Sequence, residues 1–156
     1  MDYKLNMKNV DVNEALREIV AYYIPELEAK DFNYDFNISE EEYLVNIDEV
    51  KFTRAISNLI DNAIKYNEKN TTLSVISRKF NDRIEIRIFD DGRGINEEIR
   101  DKIFEAFVRE DKARSSSTEG AGLGLAITKA IIEKHSGSIK LLDNTKGTEY
   151  KIILNI

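Results

Sequence analysis

The sequence of 156 residues contains no cysteine and a single histidine, His135. Disulfide bonds and thiolate-ligated metal sites are therefore excluded, and so is a metal site built from several histidines. No apolar run approaches the length of a membrane span, and the N-terminal residues MDYKLNMKNV lack the apolar core of a signal peptide. We therefore expect this piece to be soluble and intracellular.

The sequence also has fewer basic residues than acidic ones, 23 compared with 29, so its formal net charge is -6. Nucleic acids and anionic membranes both attract an excess of positive charge, so this balance argues against either as a general partner. The length and the hydrophobic content of 42% suit one globular domain with its own core. We expect no second domain.

Proline occurs once, as Pro25, inside a segment with helical periodicity. Apolar residues recur at helical spacing over residues 12–30, which predicts a helix that Pro25 kinks or splits. A second amphipathic helix is predicted from about Asp48 to Tyr66.

Several segments alternate apolar and polar residues and predict a sheet. In RIEIRIF (83–89) the isoleucines point one way and the charged residues the other, so we expect one buried and one solvated face. This segment follows TTLSVISRKF, and TEYKIILNI follows SIKLL, which predicts two hairpins; DFNYDFNI and EYLVNI predict shorter strands. The expected fold class is α+β, a two-layer sandwich of a mixed, mostly antiparallel sheet with helices packed on one face.

Glycine is concentrated in GAGLGL (120–125), which opens an apolar-periodic segment that runs to His135. A Walker loop would need a Gly-Lys-Ser/Thr ending, and a dinucleotide fingerprint would need glycine at Leu125. Neither is present. Two interpretations remain: an anion-binding helix N-terminus with accessible N–H groups, or a flexible linker before a core helix.

Two further motifs carry polar groups that suit a nucleotide. Asn58, Asn62 and Lys65 fall within an arc of about 60 degrees on the second helix, where amide oxygens and an ammonium suit a magnesium triphosphate. Asp90 begins DDGRG (90–94), where a carboxylate can accept from an amine and glycines let the chain turn beside a ligand. The alternatives are a solvated helix face and a solvated turn.

Four motifs together resemble, in order and spacing, the N, G1, F and G2 boxes of the ATP-binding catalytic domain of sensor histidine kinases. They are NLIDNAIKY (58–66), DDGRG (90–94), FEAF (104–107) and GAGLGL (120–125). By themselves Phe104 and Phe107 share a helical face and are expected to be core anchors. The resemblance covers nearly the whole chain, so residues 1–156 are expected to form one such domain with a Bergerat-type ATP-binding fold.

The resemblance implies Mg-ATP as ligand and assigns roles to single residues. Asn62 is expected to hold Mg²⁺, with Asn58 lining the same site, while Lys65 faces phosphate and Tyr66 the nucleoside. The groups expected to act in catalysis are Asn58, Lys65 and Arg109.

The same resemblance defines the adenine corner and an ATP lid at about residues 108–120. Asp90 is expected to accept a hydrogen bond from the adenine amine, with Thr148 supporting that corner. The lid contains the polar segment REDKARSSSTE, which is expected to be mobile and to close over the phosphates. The remaining residues expected to bind nucleotide are Gly92, Gly94, Lys112, Arg114, Gly120, Gly122, Leu123, Gly124 and Leu125.

His135 is expected to cap a helix end rather than to accept phosphate. In the family the acceptor histidine begins a His-Glu motif, usually in a separate dimerising hairpin, and no such motif is present. The family often has His-Gly-Gly where this chain has His135-Ser136-Gly137. The implied partners are therefore a dimerising phosphoacceptor domain of the same parent protein and a response regulator. A cytoplasmic location within a membrane-anchored parent is expected.

Related ATP-binding folds occur in topoisomerases, chaperones and anti-sigma-type serine kinases, which resemble this N box. Those proteins typically place a glutamate base four residues before the metal-binding asparagine, where this chain has Asn58. The difference favours transfer to histidine over hydrolysis. A serine kinase and a non-catalytic ATP-binding regulatory module remain the alternatives.

Overall fold

The computed structural model describes residues 4–105, 124–143 and 146–155. Within these ranges the elements follow in the order β1 (Lys8–Asp11), α1 (Val12–Ala29), β2 (Asn33–Asn37), β3 (Leu44–Ile47), α2 (Glu49–Lys65), β4 (Thr72–Lys79), β5 (Arg83–Asp90), α3 (Glu97–Arg100), α4 (Gly124–Lys134), β6 (Ser138–Leu142) and β7 (Thr148–Asn155). The expected lid, Phe107 and most of the GAGLGL loop lie outside the described residues.

The main sheet has five strands in the order β2-β4-β5-β7-β6. Strands β2 and β4 pair in parallel, and the other neighbours in this sheet are antiparallel. Both predicted hairpins are present, as the β4–β5 and β6–β7 pairs. The prediction of a mixed, mostly antiparallel sheet is therefore confirmed.

The hydrophobic core lies between one face of this sheet and the helices. Ile84, Ile86 and Ile88 of β5 are at most 2% exposed, and they share one cluster with Phe52 of α2 and Ile131 of α4. Period-two alternation in the strand and helical periodicity in α2 each present one apolar side, so the two layers bury those sides against each other. The predicted α+β class with helices on one face is confirmed.

The opposite face of the sheet departs from expectation at Glu85, which is only 8% exposed. Its Oε1 lies 2.6 Å from Nε of Arg87, and a guanidinium nitrogen of Arg87 lies 3.3 Å from Glu149 on β7. This charged ladder covers the carboxylate, so the expectation of a solvated position is wrong there. Pairing compensates for part of the lost hydration of the buried charge.

Both long helices begin at an aspartate, which explains their first residues. Asp11 accepts a hydrogen bond from the Asn13 N–H at 3.1 Å, and Asp48 accepts one from the Lys51 N–H at 3.1 Å. Helix α1 continues through Pro25, so of the two outcomes expected there, a kink or a split, the split does not occur. The carbonyl that Pro25 leaves without an N–H partner belongs to the exposed Ala21, where solvent is accessible. None of the helices in the described ranges has both the length and the apolar content that a membrane crossing requires.

Two local features differ from the sequence predictions. Strand β3, within EYLVNI, pairs with the unpredicted β1 in a separate two-stranded sheet. Phe104 lies in consecutive turns instead of a helix, since the Lys102 N–H donates to Ile99 at 2.9 Å and the Glu105 N–H donates to Lys102 at 2.9 Å. Its anchoring role is confirmed, because the ring packs edge-on against Tyr150 with centroids 6.1 Å apart.

Candidate functional site

A cleft of about 880 Å³ brings together most of the expected site residues that the structure describes. Those that line it are Asn58, Asn62, Lys65, Tyr66, Asp90, Gly94, Gly124, Leu125 and Thr148. Gly92 lies beside Asp90 but outside the lining. The other expected residues lie outside the described ranges, and they are Arg109, Lys112, Arg114, Gly120, Gly122 and Leu123.

Helix α2 forms one wall of the cleft and presents Asn62, which is half-buried. The Asn62 side chain makes no hydrogen bond to any residue that the structure describes. The described residues also contain no group of three or more His, Cys, Asp or Glu side chains that could hold a metal. A hard cation here would depend on amide oxygens and on oxygens brought by the ligand, which suits Mg²⁺ bound to phosphates.

Asn58 lies one turn before Asn62 and connects α2 to α4. Its Nδ2 lies 3.2 Å from the carbonyl oxygen of Gly124 and 3.3 Å from the hydroxyl of Thr128. The sequence analysis did not identify Thr128, because nothing in the sequence joins a threonine of α4 to an asparagine 70 positions earlier.

Cationic groups gather around Tyr66 at the rim of the cleft. The Lys65 ammonium lies 5.3 Å from the centroid of the Tyr66 ring, and the Arg93 guanidinium lies 5.9 Å from it. Both distances suit cation–π attraction. Arg93 also lines the cleft and was missed in the sequence analysis, although it lies inside the DDGRG motif.

Asp90 ends strand β5 and is only 5% exposed. Burial raises the pKa of its carboxyl to about 6, and the nearby carboxylate of Asp91 adds to the rise. Hydrogen bonds from the Gly92 N–H at 3.1 Å, the Asn67 side chain and the Thr148 backbone act in the opposite direction. The result is a buried acceptor in a cleft, where an amine donor would relieve the cost of its charge.

The turn after Asp90 is held in place by Asn67, a second residue that the sequence analysis missed. The Asn67 amide donates to the Ala63 carbonyl at 2.8 Å and accepts from the Arg93 N–H at 3.2 Å. A Cβ on Gly92 would overlap this side chain, so the glycine makes room for Asn67. Asn67 immediately follows the last residue of NLIDNAIKY, which is the one local signal that pointed to it.

The cleft also extends towards α1, where it is lined by Glu26, Lys30 and Asp61. The Tyr23 hydroxyl donates to Oδ1 of Asp61 at 2.8 Å. Burial and this contact raise the pKa of Tyr23, so its hydroxyl stays protonated and holds Asp61 in place. None of these residues was among those expected from the sequence.

His135 lies away from the cleft and serves as a structural bridge. Its Nε2 accepts from the backbone N–H of Asp48 at 3.0 Å, so Nδ1 carries the hydrogen and donates to the Ile131 carbonyl at 2.8 Å. The ring thereby satisfies a carbonyl in the last turn of α4 and ties that helix end to the start of α2. The predicted capping role is confirmed.

A protein-family profile and a curated relative each match most of the chain. The profile of the family described as histidine kinase-, DNA gyrase B-, and HSP90-like ATPase matches residues 47–156. The signal transduction histidine-protein kinase ArlS of Staphylococcus aureus is 37% identical over 153 residues, which cover 97% of this chain and 34% of ArlS. The chain thus spans about a third of the length of the curated relatives that it matches.

Solved structures show the same fold. The catalytic domain of histidine kinase ThkA superposes with a TM-score of 0.84 at 24% identity, covering 97% of this chain and 96% of that one. The mycobacterial sensor histidine kinase MprB gives 0.81 at 28% identity, covering 95% and 97%. ThkA has also been solved in complex with the response regulator protein TrrA, and that structure gives 0.79 at 23% identity, covering 96% and 41%.

Proposed function

Because the chain belongs to the histidine kinase-, DNA gyrase B-, and HSP90-like ATPase family, we propose that it is the catalytic domain of a two-component sensor kinase. In this proposal it binds Mg-ATP and transfers the γ-phosphoryl group to a histidine on a separate dimerising domain. The observation that carries the proposal is the convergence of Asn62, Lys65 and Asp90 on one cleft. These three side chains supply a metal ligand, a phosphate partner and an acceptor for adenine.

In the adenine corner, Asp90 accepts a hydrogen bond from the exocyclic amine, and Thr148 supports that contact from β7. The buried carboxylate favours adenine over guanine, since guanine presents a carbonyl where adenine has its amine. Two acceptors facing each other in a buried site cost about 1–3 kcal/mol. Gly94, at φ +77°, lets the backbone turn beside the base.

On the phosphate side, Asn62 provides an oxygen ligand for Mg²⁺, and Lys65 neutralises phosphate charge. A magnesium ion held there would supply positive charge that stabilises the phosphoryl group during its transfer. Arg109, Lys112 and Arg114 add positive charge from the proposed lid, together with amides from Gly120 to Leu125. The contribution of the protein is thus to position and neutralise the triphosphate.

The phosphoryl acceptor belongs to a partner domain, because both ring nitrogens of His135 are engaged, one with the N–H of Asp48 and the other with the carbonyl of Ile131. ArlS is named a histidine-protein kinase, and ThkA has been solved with a response regulator. We extend both relations to this chain. The partners are a dimerising phosphoacceptor domain of the same membrane-anchored parent protein and, downstream, a response regulator.

The geometry at Asn58 favours a histidine acceptor over serine or water. A hydroxyl nucleophile needs a base, whereas a neutral imidazole is already nucleophilic. The residue at this position is an amide, and its nitrogen contacts the Gly124 carbonyl and the Thr128 hydroxyl. An amide in this arrangement does not remove a proton.

Nucleotide choice is tested by isothermal titration calorimetry of the chain with Mg-ATP and Mg-GTP. ATP should bind at least about tenfold more tightly, the equivalent of about 1.4 kcal/mol. Equal affinities for the two nucleotides would exclude the proposed adenine contact at Asp90.

Phosphoryl transfer is tested with radiolabelled ATP and the dimerising hairpin of the parent kinase, supplied in cis or in trans. The hairpin should acquire an acid-labile phosphohistidine, and Asn62→Ala should abolish the label because the metal ligand is lost. The chain alone should remain unlabelled. Labelling of His135, or fast ATP hydrolysis that survives Asn62→Ala, would contradict the proposal.

A further inference from the structure

The hydroxyl of Thr128 is a buried polar group at the junction of α2 and α4. Thr128 is 0% exposed, and its Oγ1 lies 3.2 Å from the carbonyl oxygen of Ala55 and 3.3 Å from Nδ2 of Asn58. It lies four residues after Gly124, the first residue of α4. The hydroxyl therefore occupies the space between the two helices behind the wall of the cleft.

The chemistry of these contacts determines how the Asn58 amide is oriented. The Ala55 carbonyl can only accept, so the one hydroxyl hydrogen of Thr128 points to it, and the hydroxyl oxygen is left to accept. The Asn58 atom that faces Thr128 must then be the NH₂ group. The contact with Gly124 gives the same orientation of the amide, because the Gly124 carbonyl can only accept a hydrogen bond. The flipped amide would place its oxygen against two acceptors.

This orientation uses both hydrogens of Nδ2 and leaves Oδ1 as the remaining polar atom of Asn58. Oδ1 makes no hydrogen bond to any part of the chain that the structure describes. Asn58 and Asn62 are four positions apart on α2, and both line the cleft. An amide oxygen therefore lies one helical turn from the proposed metal ligand.

We propose that Thr128 is a positioning residue that acts through Asn58. Its hydroxyl holds the amide so that Oδ1, and not an N–H, faces the hydrated magnesium of Mg-ATP beside Asn62. This inference rests on the proposed function, since it names the orientation of a group in that same site. It differs from a direct phosphate contact, for which the amide would have to donate.

The contribution of the Thr128 hydroxyl to ATP affinity should depend on magnesium. With magnesium bound, Oδ1 faces either the cation, which binds oxygen ligands, or the hydrogens of a water molecule bound to that cation. Without the cation, the same oxygen faces phosphate oxygens, and no attraction results. Loss of the hydroxyl should therefore reduce the gain in ATP affinity that magnesium provides, and leave magnesium-free binding as it is.

The test compares Thr128→Val, which keeps the shape and removes the hydroxyl, with Thr128→Ser, which keeps the hydroxyl. Calorimetry of each chain with ATP, in excess magnesium and in EDTA, measures the gain from the metal. We expect Thr128→Val to reduce that gain by about tenfold, as is common when a residue that orients a metal ligand is lost. Thr128→Ser should retain it. Thermal melting confirms that each variant is folded.

A second measurement follows the Asn58 side-chain amide by ¹⁵N NMR, with its signal assigned by its loss in Asn58→Ala. Its NH₂ protons should exchange slowly in the parent chain and in Thr128→Ser, and faster in Thr128→Val. An unchanged magnesium gain in Thr128→Val overturns the inference, as does an equal loss in both threonine variants, which would indicate packing. If the parent chain does not bind ATP, the proposed function fails, whereas an unprotected Asn58 amide refutes the orientation independently of ATP.

Discussion

Replacing Asp90 by asparagine should stabilise the empty protein at neutral pH while weakening its binding of adenine nucleotides. Asp90 is 5% exposed, and in the absence of an amine donor its charge is held mainly by backbone N–H groups and Asn67. Asparagine has nearly the same shape and carries no charge. The substitution therefore removes the cost of a buried carboxylate together with the acceptor that adenine requires.

The size of the expected gain in stability follows from the raised pKa of the Asp90 carboxyl. A pKa of about 6 in the folded protein, against 3.8 for the exposed group, corresponds to about 3 kcal/mol of destabilisation when the carboxylate is ionised. Asparagine offers an NH₂ where a second oxygen accepted hydrogen bonds, which costs about 1 kcal/mol. The net gain from Asp90→Asn at pH 7 should be about 2 kcal/mol.

The sign of the stability difference between Asp90→Asn and the parent chain depends on pH. Because the folded pKa is raised, the proton on Asp90 stabilises the native state fully below pH 3.8, and this contribution is lost as the pH rises through about 6. The difference between Asp90→Asn and the parent chain should accordingly be small or slightly negative near pH 4 and should grow between pH 4 and 7. Urea unfolding followed by circular dichroism at several pH values measures it directly.

Calorimetry on the same variant should show ATP affinity at pH 7 reduced by at least about tenfold. Asp91→Asn is the matched control, since it removes the same charge one residue away. Asp91 is only partly buried and accepts from the Thr72 N–H at 2.8 Å, a bond that the asparagine oxygen can also accept, so that variant should gain less stability than Asp90→Asn. The reasoning is refuted if Asp90→Asn is less stable than the parent at pH 7, or if their difference is constant from pH 4 to 7.

Four further substitutions test local geometry. Ser136 has φ +59° at the end of α4, a backbone conformation that strains any residue but glycine. Ser136→Gly should therefore stabilise the chain by about 1 kcal/mol in urea unfolding and leave the ATP affinity unchanged. A loss of stability would show that the backbone at Ser136 is not strained. Gly147 has φ +85° and leaves no space for a Cβ beside the Asp90 carbonyl, so Gly147→Ala should cost at least about 2 kcal/mol in the free energy of unfolding. Gly124→Ala is the control: among the described residues, the nearest atom to its added Cβ is 4.0 Å away, so it should change that free energy by less than about 0.5 kcal/mol. Asn67→Ala should weaken binding of adenosine itself by about fivefold, the equivalent of one lost hydrogen bond of about 1 kcal/mol, and unaltered adenosine binding by calorimetry would exclude its role at the Asp90 turn.

Local patterns were sufficient to predict most of the secondary structure. The isoleucines of β5 alternate along the strand, and α2 begins at Asp48, which caps it. Such signals depend on neighbours within a few residues, so they can be read along the chain. Strand β1 was missed because its four residues have no strong alternation and are defined by pairing with β3.

The motif residues that line the cleft were likewise accessible from the sequence, because their order and spacing resemble one family. Their neighbours were not. Asn67, Arg93 and Thr128 act through contacts that join separate elements, and the Asn58–Thr128 contact spans 70 positions. No local pattern encodes which donor meets which acceptor across such a distance. The roles of Arg109 and the other proposed lid residues remain predictions from the resemblance.

By itself, the sequence determined the periodicity of each element, the helix caps and the chemical inventory of the site, because these depend on residue type and near neighbours. Only the tertiary structure decided which groups lose water and which donors they meet. Asp90 has a raised pKa because the fold buries it, and Glu85 is covered because Arg87 bridges it to Glu149. Asn58 turns its nitrogen to α4 because Thr128 and Gly124 are held there by packing between helices. Burial and hydrogen-bond direction are properties of three-dimensional surroundings, and these exist only once distant segments have come together.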